Sequence, residues 1–518
     1  MTLDVDPRVL LNKLAFGPSA VELRDIAKGG ADSWLAHQLK PSAEDDCAGR
    51  VAAAHLHLKY VSKVPEATVD EDRALAVLAE PLEQHWQTVD KSVPNQERAF
   101  LRTAVTAATL VRAVHSRWQL REVMADFWHN HFNVNAVGEP LVAVALPTYD
   151  RDVIRRHALG NFRELLEAVA TSAAMQVYLN NRSSRGGAAN ENYARELFEL
   201  HTLGRPAYLN ALYNRWRDVP GAIDGRPAGY IDQDVYEAAR AFTGWTIEDG
   251  TGIGAGRKLP LTGKFTYVEG WHDNYQKRVL ATEFDPYQSP LADGRRVLDL
   301  VADHPATAKY VCGKLCRRLV SDTPDAALVA AAVKAWSEAR RQPDQIAHTV
   351  EAIVRSDAFR RSSGAKVKRP LELYASFARA AEISVAPTPG LLGELDGSGQ
   401  RLFGWGPPTG HPDENDYWLS SNMMRRRWSL LLGLADDAWK AGSPSAALAV
   451  AQAATPEAAV NAAHRRLLGA EAPAKTALAI VAGLGLKPGT AFDTRKDALP
   501  LARRMLAYCA MTSDFQTR

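Results

Sequence analysis

Apolar positions recur with helical spacing along most of the chain. "SAVELRDIAKGGADSWLAHQL" opens at Ser19, a good N-cap, and Glu22 three residues later completes a capping box. "ERAFLRTAVTAATLVRAVHSRWQLREVMADFW" predicts a long helical run broken near Ser116. "NFRELLEAVATSAAMQVYL" predicts a helix from Asn161, and "NENYARELFELHTLG" one that stops at the C-cap Gly204. "HPATAKYVCGKLCRRLV" follows the same rule, with Asp303 or His304 capping it ahead of Pro305, as do "DAALVAAAVKAWSEARR" and "RPLELYASFARAAEI". These patterns predict an all-α fold: a large multi-helix body over residues 1–440 and an Ala-rich helical subdomain over 441–518.

Three stretches depart from this spacing. Residues 205–231 carry Pro and Gly punctuation and read as an insertion. In residues 245–285, "KFTYVE" and "KRVLAT" are expected to form two short strands across a loop holding His272 and Asp273, a hairpin-like insertion. Residues 397–418, "GSGQRLFGWGPPTGHPDENDYW", form a Gly/Pro/aromatic loop of the kind that more often carries function than merely connects.

Composition narrows the picture. With 518 residues, a core can form without help from disulfides or metal. Basic and acidic residues nearly balance, at 62 and 60, so no global charge draws the chain to nucleic acid or to an anionic membrane. No stretch approaches the ~20 apolar residues of a membrane span. "MTLDVDPRVLLNKLAFG" carries acids and no long apolar core, so no secretory signal is expected there and the expected compartment is cytoplasmic. Cys312 and Cys316, four apart, share a helix face without a zinc-type quartet, so the cysteines are expected to be small buried apolar residues.

Candidate chemistry centres on "MADFWHNHFNVN". On a helix His129 and His131 point about 200° apart, so they face one site only if the chain becomes extended near them. The following "FNVN" is a poor helix continuation, and a helix running through Asn135 would count against joint ligation. Glu122 and Asp126 share a face with His129, and Asp126 is a candidate to orient an imidazole. In "NENYARELFELHTLG", Asn192, Arg195, Glu196 and Glu199 form one polar stripe. Such a stripe is either solvated or in need of buried partners. Glu196 and His201, five apart, would meet only if the helix deforms. "GWHDN" and "GHPDEND" add His272, Asp273 and His411, residues that also serve ordinary turns. No nucleophile elbow, phosphate loop or H-E-x-x-H motif is present, and "GTGIGAG" lacks the strand–turn–helix context of a dinucleotide fingerprint.

Taken in order, "LLNKLAFGPSAVEL", "FWHNHFNVN", "NENYARELFELHTLG", "EAARAFTGWTI" and "FGWGPPTGHPDENDYWLSSNMMRRR" resemble the domain-of-unknown-function 1800 family of bacterial proteins, over about residues 8–435. Set against the family's pattern, the chain is expected to carry no export signal, and its segment 205–231 looks longer than the usual link. The resemblance implies a shared helical fold with converging motif loops, and a possible partner in a neighbouring sulfatase-like family. It names no reaction.

Three functions remain open. The first is a metal- or haem-dependent oxidoreductase on a small organic substrate, with His129, His131, His272 and His411 as metal ligands and Arg195, Glu196, His201 and Asp273 as catalytic groups. Iron, copper or zinc would suit this set. The second is a zinc-type hydrolase using the same residues. The third is a non-catalytic helical interaction protein, in which these side chains would be scattered and singly satisfied.

Overall fold

The computed structural model describes residues 3–63 and 65–518. The chain is mostly helical. Four two-stranded antiparallel sheets accompany the helices among the described residues, so "all-α" is too strict.

The Asn95–His115 helix runs through the core. Its Ala104, Ala107 and Ala108 are fully buried, and these small side chains let the Pro140–Thr148 and Pro370–Ala380 helices pack against it. Burying Leu101 and Leu110 on the same helix contributes about 1.5–3 kcal/mol each. The helix stops where expected. Ser116 turns extended, and its hydroxyl accepts from Trp118 N–H at 3.0 Å. Gln119 donates to the free carbonyls of Ala113 and Ser116, and the Gln119–His131 helix begins. Ser19, Asn161 and His304 cap their helices as the sequence predicts.

The hairpin expectation needs correction. The Leu261–Tyr267 strand pairs with Trp245–Asp249, and Lys277–Val279 pairs with Thr282–Phe284. Each segment therefore found a nearer partner, and they do not pair with each other across the loop. A further hairpin, His55–Lys63 with Glu66–Ala74, lay outside the helical patterns. Residues 205–231 fold into short turns around a small core of Val219, Ala222 and Ile231.

The helices beyond residue 441 pack on the Ser421–Ala435 helix and share its core. Gln516 and Arg518 run beside Lys366 and Lys368, with Arg518 N–H donating to Lys366 O at 2.7 Å. The four cysteines are free and buried. No helix among the described residues is long and apolar enough to cross a membrane.

Candidate functional site

Glu122, Asp126, His129 and Asn133 lie at i, i+4, i+7 and i+11 on one face of the Gln119–His131 helix and its exit. All four line a small cavity, together with Arg155, Arg369, Phe403 and His411.

His129 is held from one side. Its Nε2 lies 2.9 Å from Asp150 Oδ1. Asp150 also accepts from Arg155 Nε at 3.0 and 2.8 Å, and Arg155 reaches on to Glu122. Burial alone would raise the Asp150 carboxyl, but Arg155 and the bond from His129 outweigh it and hold it well below the usual carboxylate range. The acceptor is therefore ionised, Nε2 carries the proton, and the lone pair of a neutral His129 falls on Nδ1. That Nδ1 is buried without a hydrogen-bond partner in the protein, as are His411 Nδ1 and Glu122 Oε1. Glu122 Oε1 faces Arg121 Nε at 3.6 Å, so the two imidazole nitrogens are what make this cavity the candidate site. Burial, with Arg369 close by, pushes the His411 imidazole down to about 4.

Local chain geometry explains the Asp150–Arg155 pair. On an α-helix, residues five apart point about 140° apart. Here the chain widens to i→i+5 hydrogen bonding over Tyr149–Arg155, just after Pro147, which cannot donate. Residues five apart then lie near one another, so Arg155 reaches the Asp150 carboxylate that holds His129.

The lid of the cavity is the irregular segment 398–414. Asn130 bonds both the N–H and the C=O of His411, at 2.7 and 2.9 Å. Asn133 donates to the carbonyls of Trp405 and Pro407, at 3.1 and 2.8 Å. Gly410 adopts φ +71°, and a Cβ there would stand 2.1 Å from the Asn130 carbonyl oxygen, so only glycine allows this approach.

Of the eight sequence candidates, His129 and His411 meet in this cavity. His131 does not. The helix ends at His131 as required, but both histidines occupy its last turn, so their divergence stands and joint ligation fails. His131 Nε2 lies 3.0 Å from the His201 carbonyl, and burial keeps the ring well below its ordinary pKa. His201 is fully buried with neither ring nitrogen bonded, 5.1 Å from the Phe132 ring, and burial pushes it down to about 3. The helix does deform over Leu197–His201, yet Glu196 and His201 line no cavity with His129. Burial and Glu199 raise Glu196 above the usual carboxylate range. Arg195 pairs with Glu191 and Asp232, at 3.0 and 3.4 Å. His272 sits between Thr243 O and Asp293, at 2.9 and 3.2 Å, and Asp273 binds Arg240 at 2.9 Å. Asp126 orients no imidazole; it pairs with Arg318 at 3.1 Å.

The cavity atoms do not form a ready-made metal centre. Among the described residues, the group of three ligand atoms lying within 4.8 Å of one another is Asp45, Asp46 and Cys47. Asp45 there binds Arg112 at 2.8 Å, and Asp46 accepts from Ser116 at 2.9 Å. Burial and Asp46 push the Cys47 thiol up to about 12, so it stays protonated.

The sequence reading missed Asp150, Arg155 and Arg369. "PTYDRDVIRR" carries both members of the first pair, and the clue was Pro147 within a helical run.

The structure thus defines a mostly helical protein with a cavity of mixed polar and apolar lining beneath a pinned loop. The chain belongs to the family described as "Protein of unknown function (DUF1800)", which matches residues 9–517 and so runs on through the C-terminal helices. No curated protein and no solved structure matches it.

Proposed function

We propose that the cavity beneath segment 398–414 is a catalytic centre, in which His129 accepts and returns a proton on a small polar substrate. The observation that carries this reading is the division of labour on the His129 ring. Nε2 is bound to an ionised Asp150, and Nδ1 is left without a partner on a residue lining a cavity. An oriented imidazole of this kind typically contributes about 10²–10⁴-fold to a proton transfer. Glu122 and Asp126 balance Arg155 and Arg369 around the cavity, which suits a compact polar substrate of little net charge.

A second reading is favoured by the donor types: His129 Nδ1, His411 Nδ1 and Glu122 Oε1 make two imidazoles and a carboxylate. Such a set suits iron, with oxidoreductase chemistry, or zinc, with hydrolysis. Binding would have to draw the three atoms closer than they now stand.

Both readings are tested on one sample. Pools of small polar metabolites are incubated with the protein, with and without added iron or zinc, and followed by mass spectrometry beside His129→Ala and His411→Ala. Consumption that His129→Ala abolishes supports the centre, and consumption that His129→Ala leaves intact sinks it. Metal analysis and an absorption spectrum separate the readings. Near-stoichiometric metal lost in both variants favours the second, whereas metal-independent turnover favours the first.

A further inference from the structure

We propose a second binding site, independent of the His129 cavity, for a small organic anion with an apolar body. It lies in a cleft between the 205–231 insertion and the Pro305–Leu319 helix. Four cations line this cleft: Arg226 from the insertion, and Lys309, Lys314 and Arg317 from the helix. Among the described residues no carboxylate lines it.

These cations are free of acidic partners, although Lys314 Nζ stands over the Tyr310 ring at 5.7 Å. Among the described residues none of the four has an ion pair with a carboxylate, and Arg317 makes one bond, from Nε to Asp322 O at 3.2 Å. Elsewhere in this molecule arginines such as Arg155, Arg318 and Arg369 find acidic partners. Arg317 acts against the charge of Lys314, and an anion in the cleft relieves such repulsion. Lys314 is desolvated by burial, which lowers its pKa, while Asp413 nearby acts in the opposite sense. Asp413 itself is bound to Arg369.

The walls are apolar and fixed. Pro206, Pro227 and Tyr310 face the cleft. The insertion is a folded wall, because His304 Nε2 lies 2.9 Å from Pro227 O and Tyr230 N–H donates to Ala207 O at 3.0 Å. On the helix, Lys309, Gly313 and Arg317 fall at i, i+4 and i+8, so one face carries two cations around a gap. A Cβ added at Gly313 would meet nothing within 4 Å, so the gap is open space. Charge at several points around apolar surface selects an anion that also carries a ring or chain, over an inorganic ion.

Phenyl phosphate, inorganic phosphate and phenol are titrated into the full chain by calorimetry. Phenyl phosphate is expected to bind at one site, at least tenfold more tightly than phosphate, and phenol not to bind. Arg226→Ala/Lys309→Ala, both at exposed positions, is expected to weaken binding at least tenfold. Gly313→Leu, which fills the gap without touching a charge, is expected to abolish it with the melting temperature kept. His129→Ala is expected to leave binding unchanged, which separates this site from the proposed catalytic centre. No saturable binding of phenyl phosphate overturns the proposal. So does binding that survives Gly313→Leu, binding lost in His129→Ala, or phosphate binding as tightly as phenyl phosphate.

Discussion

Asn130 and His411, far apart in sequence, are joined by two reciprocal hydrogen bonds, from the Asn130 amide to His411 O at 2.9 Å and from His411 N–H to Asn130 Oδ1 at 2.7 Å. The motif helix thereby reads the backbone of segment 398–414 and fixes His411 over the same cavity as His129. Asn130→Ala strips partners from both backbone groups, at about 1–3 kcal/mol for each group left unsatisfied. The expected result is a lower melting temperature and faster proteolytic cutting within 398–414. An uncut segment would mean that Asn133 alone holds it.

Gly410→Ala attacks the same junction from the other side. Its Cβ would press on the Asn130 carbonyl, from a backbone at φ +71° that alanine disfavours. Segment 398–414 is expected to exchange amide hydrogens faster, while the Gln119–His131 helix keeps its protection. Equal exchange in the variant and the parent would contradict this.

Asp150→Asn removes the charge that holds His129 and leaves Arg155 with Glu122 alone. Breaking a buried pair in this way costs about 3–5 kcal/mol, measurable by urea unfolding. Nitrogen-15 NMR of the histidines should show His129 leaving a pure Nε2–H tautomer for a mixture. A ring that keeps the parent tautomer would show that Asp150 does not set it.

His131, His201 and His411 are held below their ordinary pKa by burial, His201 down to about 3 and His411 to about 4. Each binds its proton more readily in the unfolded chain. Their contribution is thus fully present above about pH 6.5 and is lost as pH falls towards the folded values. Between pH 6.5 and 5 this amounts to about 2 kcal/mol each for His201 and His411. Asp150, held low by Arg155, adds a loss of the same sign below about pH 4. Melting temperature should fall steadily from pH 7 to 5, and His201→Phe should flatten the slope. A parent protein with no slope over that range would show that these rings are not buried neutral.

The helical patterns foretold most elements and several caps because 3.6-residue periodicity and capping are local. Ser116 broke its helix through its own hydroxyl and the neighbouring Gln119. Pairing of the 245–285 strands was misread because partner choice depends on which strand lies nearest in space. Half of the candidate site was legible. Glu122, Asp126 and His129 share a face by spacing alone. Asp150 and Arg155 were hidden because an α-helix would set them apart, and only the widened turn after Pro147 brings them near one another.

By itself, then, the sequence determined the helical character, the helix ends, the family and the face on which His129 stands, since each follows from spacing along one segment. The tertiary structure decided which distant groups share that face. It brought His411 beside His129 through Asn130. It sent His131 to His201 on the opposite side and left His272 and Asp273 bound to Asp293 and Arg240. The reason is physical: a buried polar side chain takes the nearest partner that packing offers, and packing is a property of the whole chain.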